Sequence, residues 1–138
     1  MMKRILYFAA VCCMMLGAFT SCEMKEKEIG TLSDMFGRWR NDSNPQQYTV
    51  FYSDVAETGW YWGKEWDEGD GVLESDLEEH GNGWFMWKKG KSNLVMRMMM
   101  TISQAEPAVE MQLVSLTDSK MTVKEGSHTA SMTKIAAK

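Results

Sequence analysis

Tryptophan and methionine side chains are concentrated between residues 60 and 100, and both can hold apolar or aromatic molecules. The sequence GWYWGKEW at 59–66 places three indoles on one face of an extended chain, and GWFMWK at 83–88 adds two more. Rings at this spacing line a greasy pocket, stack on sugars, or fill a core. The candidate ligand-binding residues are Trp60, Trp62, Trp66, Trp84, Trp87, Met96, Met98 and Met100.

Carboxylates form the second set of candidate residues. Six acidic residues lie between Glu65 and Glu79 without any basic residue among them. Carboxylate oxygens suit Ca²⁺, but the spacing of a calcium-binding EF-hand loop is absent, and we interpret the segment as a solvated acidic loop. His80 and His128 are the only histidines, and no catalytic or phosphate-binding motif occurs. We therefore expect no metal, no cofactor and no enzymatic activity.

Alternating apolar residues predict the strands that position these side chains. Leu94, Met96, Met98, Met100 and Ile102 share one face of an extended segment, which is a period of two. The same test predicts eight strands, over residues 36–41, 47–55, 59–66, 83–88, 93–102, 109–117, 120–124 and 129–135. Short connections favour an all-β, antiparallel up-and-down meander that closes into one small barrel. Between the third and fourth strands, Leu73 and Leu77 indicate an acidic loop or a short helix over 73–79.

The N-terminus contains the pattern of an export signal. Lys3 and Arg4 precede an uncharged run from Ile5 to Phe19, and Thr20-Ser21 then leads to Cys22. This resembles the lipobox of bacterial lipoproteins, which implies that Cys22 is lipidated, for example with palmitate, and becomes the mature N-terminus. The resemblance predicts a signal peptide over 1–21, a charged tether over 22–32 and one domain over 33–138. It also places the protein in the cell envelope, anchored through lipid to a membrane, which we expect to be the outer one.

The charge of the tether and of the mature chain limits which partners are expected. The stretch Glu23 to Glu28 is similar to an acidic export signal of surface lipoproteins, and it is equally typical of a solvated spacer. Residues 22–138 contain 13 basic and 19 acidic residues, a net charge of −6. That charge disfavours nucleic acid as a partner.

A family resemblance begins with Gly37-Arg38-Trp39, near the start of the predicted barrel. This is similar to the GxW motif of lipocalins, and LTDSKMTVKEG with SMTKI resembles the end of small lipocalin-like lipoproteins. The resemblance implies that Trp39 plugs one end of the barrel, with Lys134 where lipocalins usually carry an arginine. It also implies binding of a small apolar or amphipathic molecule. The alternative is a surface module that contacts a protein or glycan through its Trp/Tyr and acidic face.

Overall fold

The structure is a computed structural model that describes residues 27–135. The predicted signal peptide, Cys22 and most of the tether lie outside these residues. The elements are one short helix, nine strands and two single 3-10 turns, Glu68–Asp70 and Glu74–Asp76. In chain order the helix and strands are α1 Leu32–Met35, β1 Gly37–Asn41, β2 Gln47–Glu57, β3 Trp60–Asp67, β4 Trp84–Lys89, β5 Asn93–Thr101, β6 Gln104–Ala105, β7 Val109–Leu116, β8 Lys120–Glu125 and β9 His128–Ile135.

Eight of the strands form a closed antiparallel barrel. Each long strand pairs with the next along the chain, and β9 pairs back onto β1, with Trp39 opposite Lys134. The two-residue β6 folds back on the end of β5 and stands outside the ring. The prediction of a small all-β up-and-down barrel, lipocalin-like in architecture, is confirmed. Closure satisfies the strand edges that an open sheet would expose to other chains.

Side chains that the sequence places on alternate faces of a strand point alternately into the barrel interior and towards its exterior. Trp87 pairs with Tyr61 and Met96, and Phe85 pairs with Gly63 and Met98, so these side chains share the inner face. Register shifts between β2 and β3 near Val55 bend the sheet, as β-bulges do in small barrels. The period of two therefore predicted the inner face correctly along most of each strand.

The segment between β3 and β4 differs from the predicted short helix. Within the predicted range 73–79 only Glu74–Asp76 form a helical turn, of the 3-10 type, and the Asp76 carboxylate accepts a hydrogen bond from the backbone of Leu73. The chain then turns at His80, whose φ of +64° is unusual for a residue other than glycine. We call residues 68–83 the acidic loop.

The two ends of the barrel differ in how they are covered. The lower end carries α1 and the chain before it, where Ile29 and Leu32 pack against the core. Ile29 N–H donates a hydrogen bond to the carbonyl oxygen of Lys91 at 2.6 Å, so the chain already contacts the barrel before residue 33. The upper end carries the β1–β2 connection, the acidic loop and the β5–β7 connection. Within residues 27–135, no helix is both long enough and apolar enough to cross a bilayer.

Candidate functional site

Aromatic rings fill the interior of the barrel towards the lower end. Trp39 and Trp87 are fully buried. Phe51 meets the rings of Trp87 and Phe85 edge-to-face, with centroid separations of 5.0 and 5.5 Å. The Trp87 indole donates a hydrogen bond to the carbonyl oxygen of Trp62 at 2.9 Å. Aromatic pairs of this geometry contribute about 0.5–1.5 kcal/mol each beyond area burial, so this part of the barrel is a close-packed core.

Trp39 lies at the lower end beside α1, where a barrel plug would lie. Its Nε1 donates a hydrogen bond to the carbonyl oxygen of Met35 at 2.9 Å. Lys134 Nζ lies 5.0 Å from the Trp39 ring centroid and donates to the carbonyl oxygen of Asp34 at 2.9 Å. Gly37 has a φ of +140°, and a Cβ at that position would lie 3.1 Å from the Lys134 side chain. The lysine therefore packs over the tryptophan as an arginine does in lipocalins.

Methionines contribute partly buried side chains to the barrel interior. They pack against the fully buried cluster of rings and aliphatic residues. The partly buried residues on β5, β7 and β9 are Met96, Met98, Met111, Ala130 and Met132. Unbranched thioether side chains adapt to irregular shapes, and half-buried ones can change rotamer when a molecule arrives.

A cleft of about 400 Å³, which we call the upper cleft, lies at the upper end of the barrel and is lined in part by Met98. It forms because β4 begins at Trp84, opposite Lys64, whereas β3 continues to Asp67 and β5 continues past Met98. The gap above β4 is closed by one hydrogen bond, from Glu65 N–H to the Gly83 carbonyl oxygen at 2.8 Å. The cleft is lined by Gln47, Glu65, Trp66, Asp67, Asp70, Asn82, Gly83, Met98, Met99 and Glu106.

The upper cleft is acidic, and its carboxylates differ in environment. Asp67 is held in place, because its carboxylate accepts hydrogen bonds from Asn44 Nδ2 at 2.9 Å and from the backbone of Gly69 at 2.8 Å. Glu65 points to the inner face opposite Thr49, and burial raises the pKa of its carboxyl group above the ordinary value of 4.5. Burial disfavours the charged form of an acid unless a cation or donor compensates it.

The outer wall of β2–β4 carries a second group of rings, which we call the outer aromatic surface. Tyr48 stacks on Trp66 and Tyr52 stacks on Trp84, with centroids 5.5 and 5.6 Å apart. The acidic loop covers much of this surface, where Leu77 packs against it. The surface comprises Tyr48, Tyr52, Trp60, Trp62, Trp66 and Trp84.

Two contacts fix the acidic loop on that surface. His80 lies flat on Trp62, with ring centroids 3.9 Å apart, and meets Trp84 edge-on at 4.9 Å. Glu74 accepts from Lys64 at 2.6 Å and from Arg38 at 3.0 Å. The hydrogen bond from Arg38 lowers the pKa of Glu74, whereas burial raises it. Together with Lys64, Arg38 holds the pKa of Glu74 below its ordinary value.

A second cleft lies at the lower end and has the opposite charge. Its volume is about 490 Å³, and its lining includes Lys88, Lys89 and Lys91 with a single acidic residue, Glu28. Lys89 is nearly buried and lies 3.5 Å from the Glu28 carboxylate. The remaining lining residues are Leu32, Gly59, Tyr61 and Gly90, so this lower cleft also has an apolar wall, formed by Leu32 and the ring of Tyr61.

The candidate binding residues named from the sequence are divided among different surroundings. Trp87 belongs to the core, and Trp84 and Trp66 are only 8% and 5% exposed. Trp60 and Trp62 are partly exposed on the outer wall, as expected of strands with rings on both faces. Met98 lines the upper cleft, and Met96 lies on the inner face opposite Trp87.

Met100 corrects one expectation. The sequence pattern placed it inward with Met96 and Met98, but its side chain is 49% exposed. The pairing of β5 with β6 is irregular between Met99 and Thr101, so the alternation is lost at the top of β5. Met99, one residue earlier, is buried against the outer wall instead.

Three residues of the site were not singled out in the sequence. Glu65, Met111 and Met132 all face the barrel interior. Glu65 follows Tyr61 and Gly63 on the face opposite the indoles of β3, so alternation alone could have assigned it inward. It was grouped instead with the acidic residues that follow it.

The comparisons add no assignment. No family model matches this chain, and no curated protein or solved structure matches it either. Within the described part of the chain, no group of three or more His, Cys, Asp or Glu side chains is arranged to hold a metal ion.

Proposed function

We propose that this protein is an envelope lipoprotein whose barrel binds a small apolar or amphipathic molecule at the upper cleft. One observation carries the proposal: a cleft of about 400 Å³ at the upper end is lined in part by the inward side chain of Met98, whereas the lower end is plugged by Trp39. Ligand sites typically have volumes of about 300–1,000 Å³. Trp66, Met98 and Met99 give this otherwise polar cleft an apolar part.

The proposed anchor fixes which end of the barrel is near the membrane. The described chain first contacts the barrel at the lower end, through Glu28 and Ile29. Residues 22–27, even when fully extended, span at most about 20 Å. Lipid on Cys22 would therefore keep the lower end close to the membrane. The upper cleft would face away from the bilayer and take its ligand from the aqueous side.

The proposal is one of binding and not of catalysis. The lining of the upper cleft, as far as the described residues form it, contains no Ser, Cys, Lys or His that could act as a nucleophile. His80, the histidine closest in sequence, is stacked on Trp62 outside the barrel. The carboxylates present are suited to contacting a polar group on the ligand.

The alternative, a face that contacts a protein or glycan, requires free aromatic rings. Trp66 and Trp84 are buried, the acidic loop stacks His80 on Trp62, and the other rings of the outer wall are only partly exposed. Stacking on sugars would require the loop to move away. We therefore favour the upper cleft over the outer aromatic surface.

Native mass spectrometry of the protein extracted from its own cells tests this function. We expect the wild-type protein to carry a small molecule that Met98→Lys has lost, because the new ammonium would lie beside Glu65 and fill the cleft. Met100→Lys is the matched control on the same strand, and it should retain the ligand. A wild-type protein that is empty, or an equal ligand load in both variants, would contradict the proposal.

A further inference from the structure

The charged groups that line the upper cleft are all of one sign. Glu65, Asp67, Asp70 and Glu106 contribute carboxylates, and the lining contains no Lys, Arg or His among the described residues. The lower cleft is the reverse, with three lysines and one glutamate. The charge of the upper cleft is thus a local feature and does not simply follow from the net charge of the chain.

Glu65 differs from the other three carboxylates because it faces the barrel interior. It lies opposite Thr49 on β2, which is itself buried. Its side chain receives no hydrogen bond or ion pair from any residue between 27 and 135, although its backbone is paired with Gly83. The side chain is half-buried and borders the cleft, and burial raises the pKa of its carboxyl group, so a cation placed beside it would stabilise the charged form.

The surroundings of Glu65 are better suited to an organic cation than to a metal ion. A metal ion needs several oxygen ligands at fixed distances, and no such group is formed by the described side chains. Met98 and Met99 instead give the cleft an apolar wall beside the acidic one. An apolar wall next to a carboxylate matches a molecule that carries an alkyl or aromatic part and one positive group.

We infer that the ligand of the upper cleft is an organic cation with an apolar tail, such as an amine or quaternary ammonium compound, whose positive group pairs with Glu65 while its tail contacts Met98 and the barrel interior. This inference rests on the proposed function, because it specifies the ligand of the same cleft. Asp70 and Glu106 lie at the cleft wall and attract the cation before it reaches Glu65.

Three probes that share an alkyl chain and differ in charge test the inference: hexyltrimethylammonium, hexanoate and hexanol. Binding is measured by isothermal titration calorimetry on the full lipidated chain in nanodiscs of a neutral lipid, with empty nanodiscs as the blank. We expect hexyltrimethylammonium to bind about tenfold or more tightly than either other probe. Glu65→Gln should abolish most of that preference and leave the binding of hexanol unchanged.

The control for Glu65→Gln is Glu125→Gln, an exposed glutamate at the end of β8, which should keep the preference. Equal binding of all three probes, tighter binding of hexanoate, or an unchanged preference in Glu65→Gln would overturn the inference while leaving the proposed function intact. Failure of every probe, together with an empty protein in native mass spectrometry, would instead remove the proposed function itself.

Discussion

Arg38 and Glu74 lie 36 positions apart in the chain and are joined by two parallel hydrogen bonds, from Nη1 to Oε1 at 3.0 Å and from Nη2 to Oε2 at 3.2 Å. The pair connects β1 to the middle of the acidic loop. Paired donors in this fork arrangement fix orientation as well as distance. This contact determines that the loop lies over the outer aromatic surface, and it therefore influences which tryptophans remain accessible.

Breaking this contact should loosen the loop while leaving the barrel folded. We expect Glu74→Gln to reduce the free energy of unfolding by about 0.5–1 kcal/mol, since the pair is partly exposed. The pKa of Glu74 is lowered in the folded state, so its stabilising effect is present above the ordinary value of 4.5 and is lost as the pH falls through the folded value. Denaturant unfolding of both proteins as a function of pH measures this difference.

A double-mutant cycle with Arg38→Met separates the pair from its surroundings. Its coupling energy should be positive at pH 7 and vanish at acidic pH. Hydrogen exchange of the amides in 68–83 should accelerate in Glu74→Gln, while amides of β7 and β8 keep their protection. Equal acceleration across the barrel would mean that the contact supports the whole fold and not only the loop.

Removing the charge of Glu65 should stabilise the protein at neutral pH. Burial raises the pKa of Glu65, so the folded state binds its proton more readily than the unfolded state. Stability therefore falls as the pH rises from the ordinary value of 4.5 through the raised value, and the cost is fully present above it. Glu65→Gln should raise Tm at pH 7 by a few degrees, and the difference should disappear below pH 4.5. A Tm equal to that of wild type across this range would contradict an uncompensated carboxylate.

Gly63 permits the close approach of β3 to the aromatic core. A Cβ there would collide with the Phe85 ring and lie 2.8 Å from the Val50 carbonyl oxygen. We expect Gly63→Ala to cost about 3 kcal/mol in urea unfolding. Gly59→Ala, in an open turn with a φ of +83°, should cost only about 1 kcal/mol of backbone strain. Phe85→Leu should partly restore stability in the Gly63→Ala background, because the shorter side chain leaves room for the new Cβ.

The plug at the lower end depends on a cation over an indole. Lys134→Met should lower stability by about 1–2 kcal/mol, because it removes the ammonium 5.0 Å from the Trp39 ring and its hydrogen bond to Asp34. Lys134→Arg should retain most of the stability, since a guanidinium also stacks over tryptophan. If Lys134→Arg is as destabilised as Lys134→Met, the charge at this position has no stabilising role.

Lipidation of Cys22 remains a prediction from the sequence. Labelled palmitate should be incorporated into the wild-type chain, and the protein should fractionate with membranes. Cys22→Ser should lose both properties while keeping the near-UV circular dichroism of the folded barrel, because Cys22 precedes the barrel residues. Label in Cys22→Ser, or wild-type protein in the aqueous fraction, would refute the anchor.

The strands could be read from the sequence because alternation is local. Each residue of NLVMRMMMTI faces in or out according to its position, and Leu94, Met96 and Met98 lie on the inner face as their spacing requires. The same argument failed at Met100, where the short β6 pairs with β5 and disturbs the register. The acidic loop could not be read in this way, since its conformation depends on Arg38, Lys64 and Trp62, which lie in other parts of the sequence.

By itself, the sequence determined the eight strands and most of their inward faces, because side-chain direction along a strand and the short connections between strands are local properties. The indole that closes one end was implied only by the resemblance of Gly37-Arg38-Trp39 to the lipocalin motif. Only the tertiary structure decided which rings form the core and which are covered by the acidic loop, because that depends on which residues meet when the barrel closes. It also decided that Glu65 faces inward beside Met98, because the early end of β4 opens the barrel wall only once three neighbouring strands are in register.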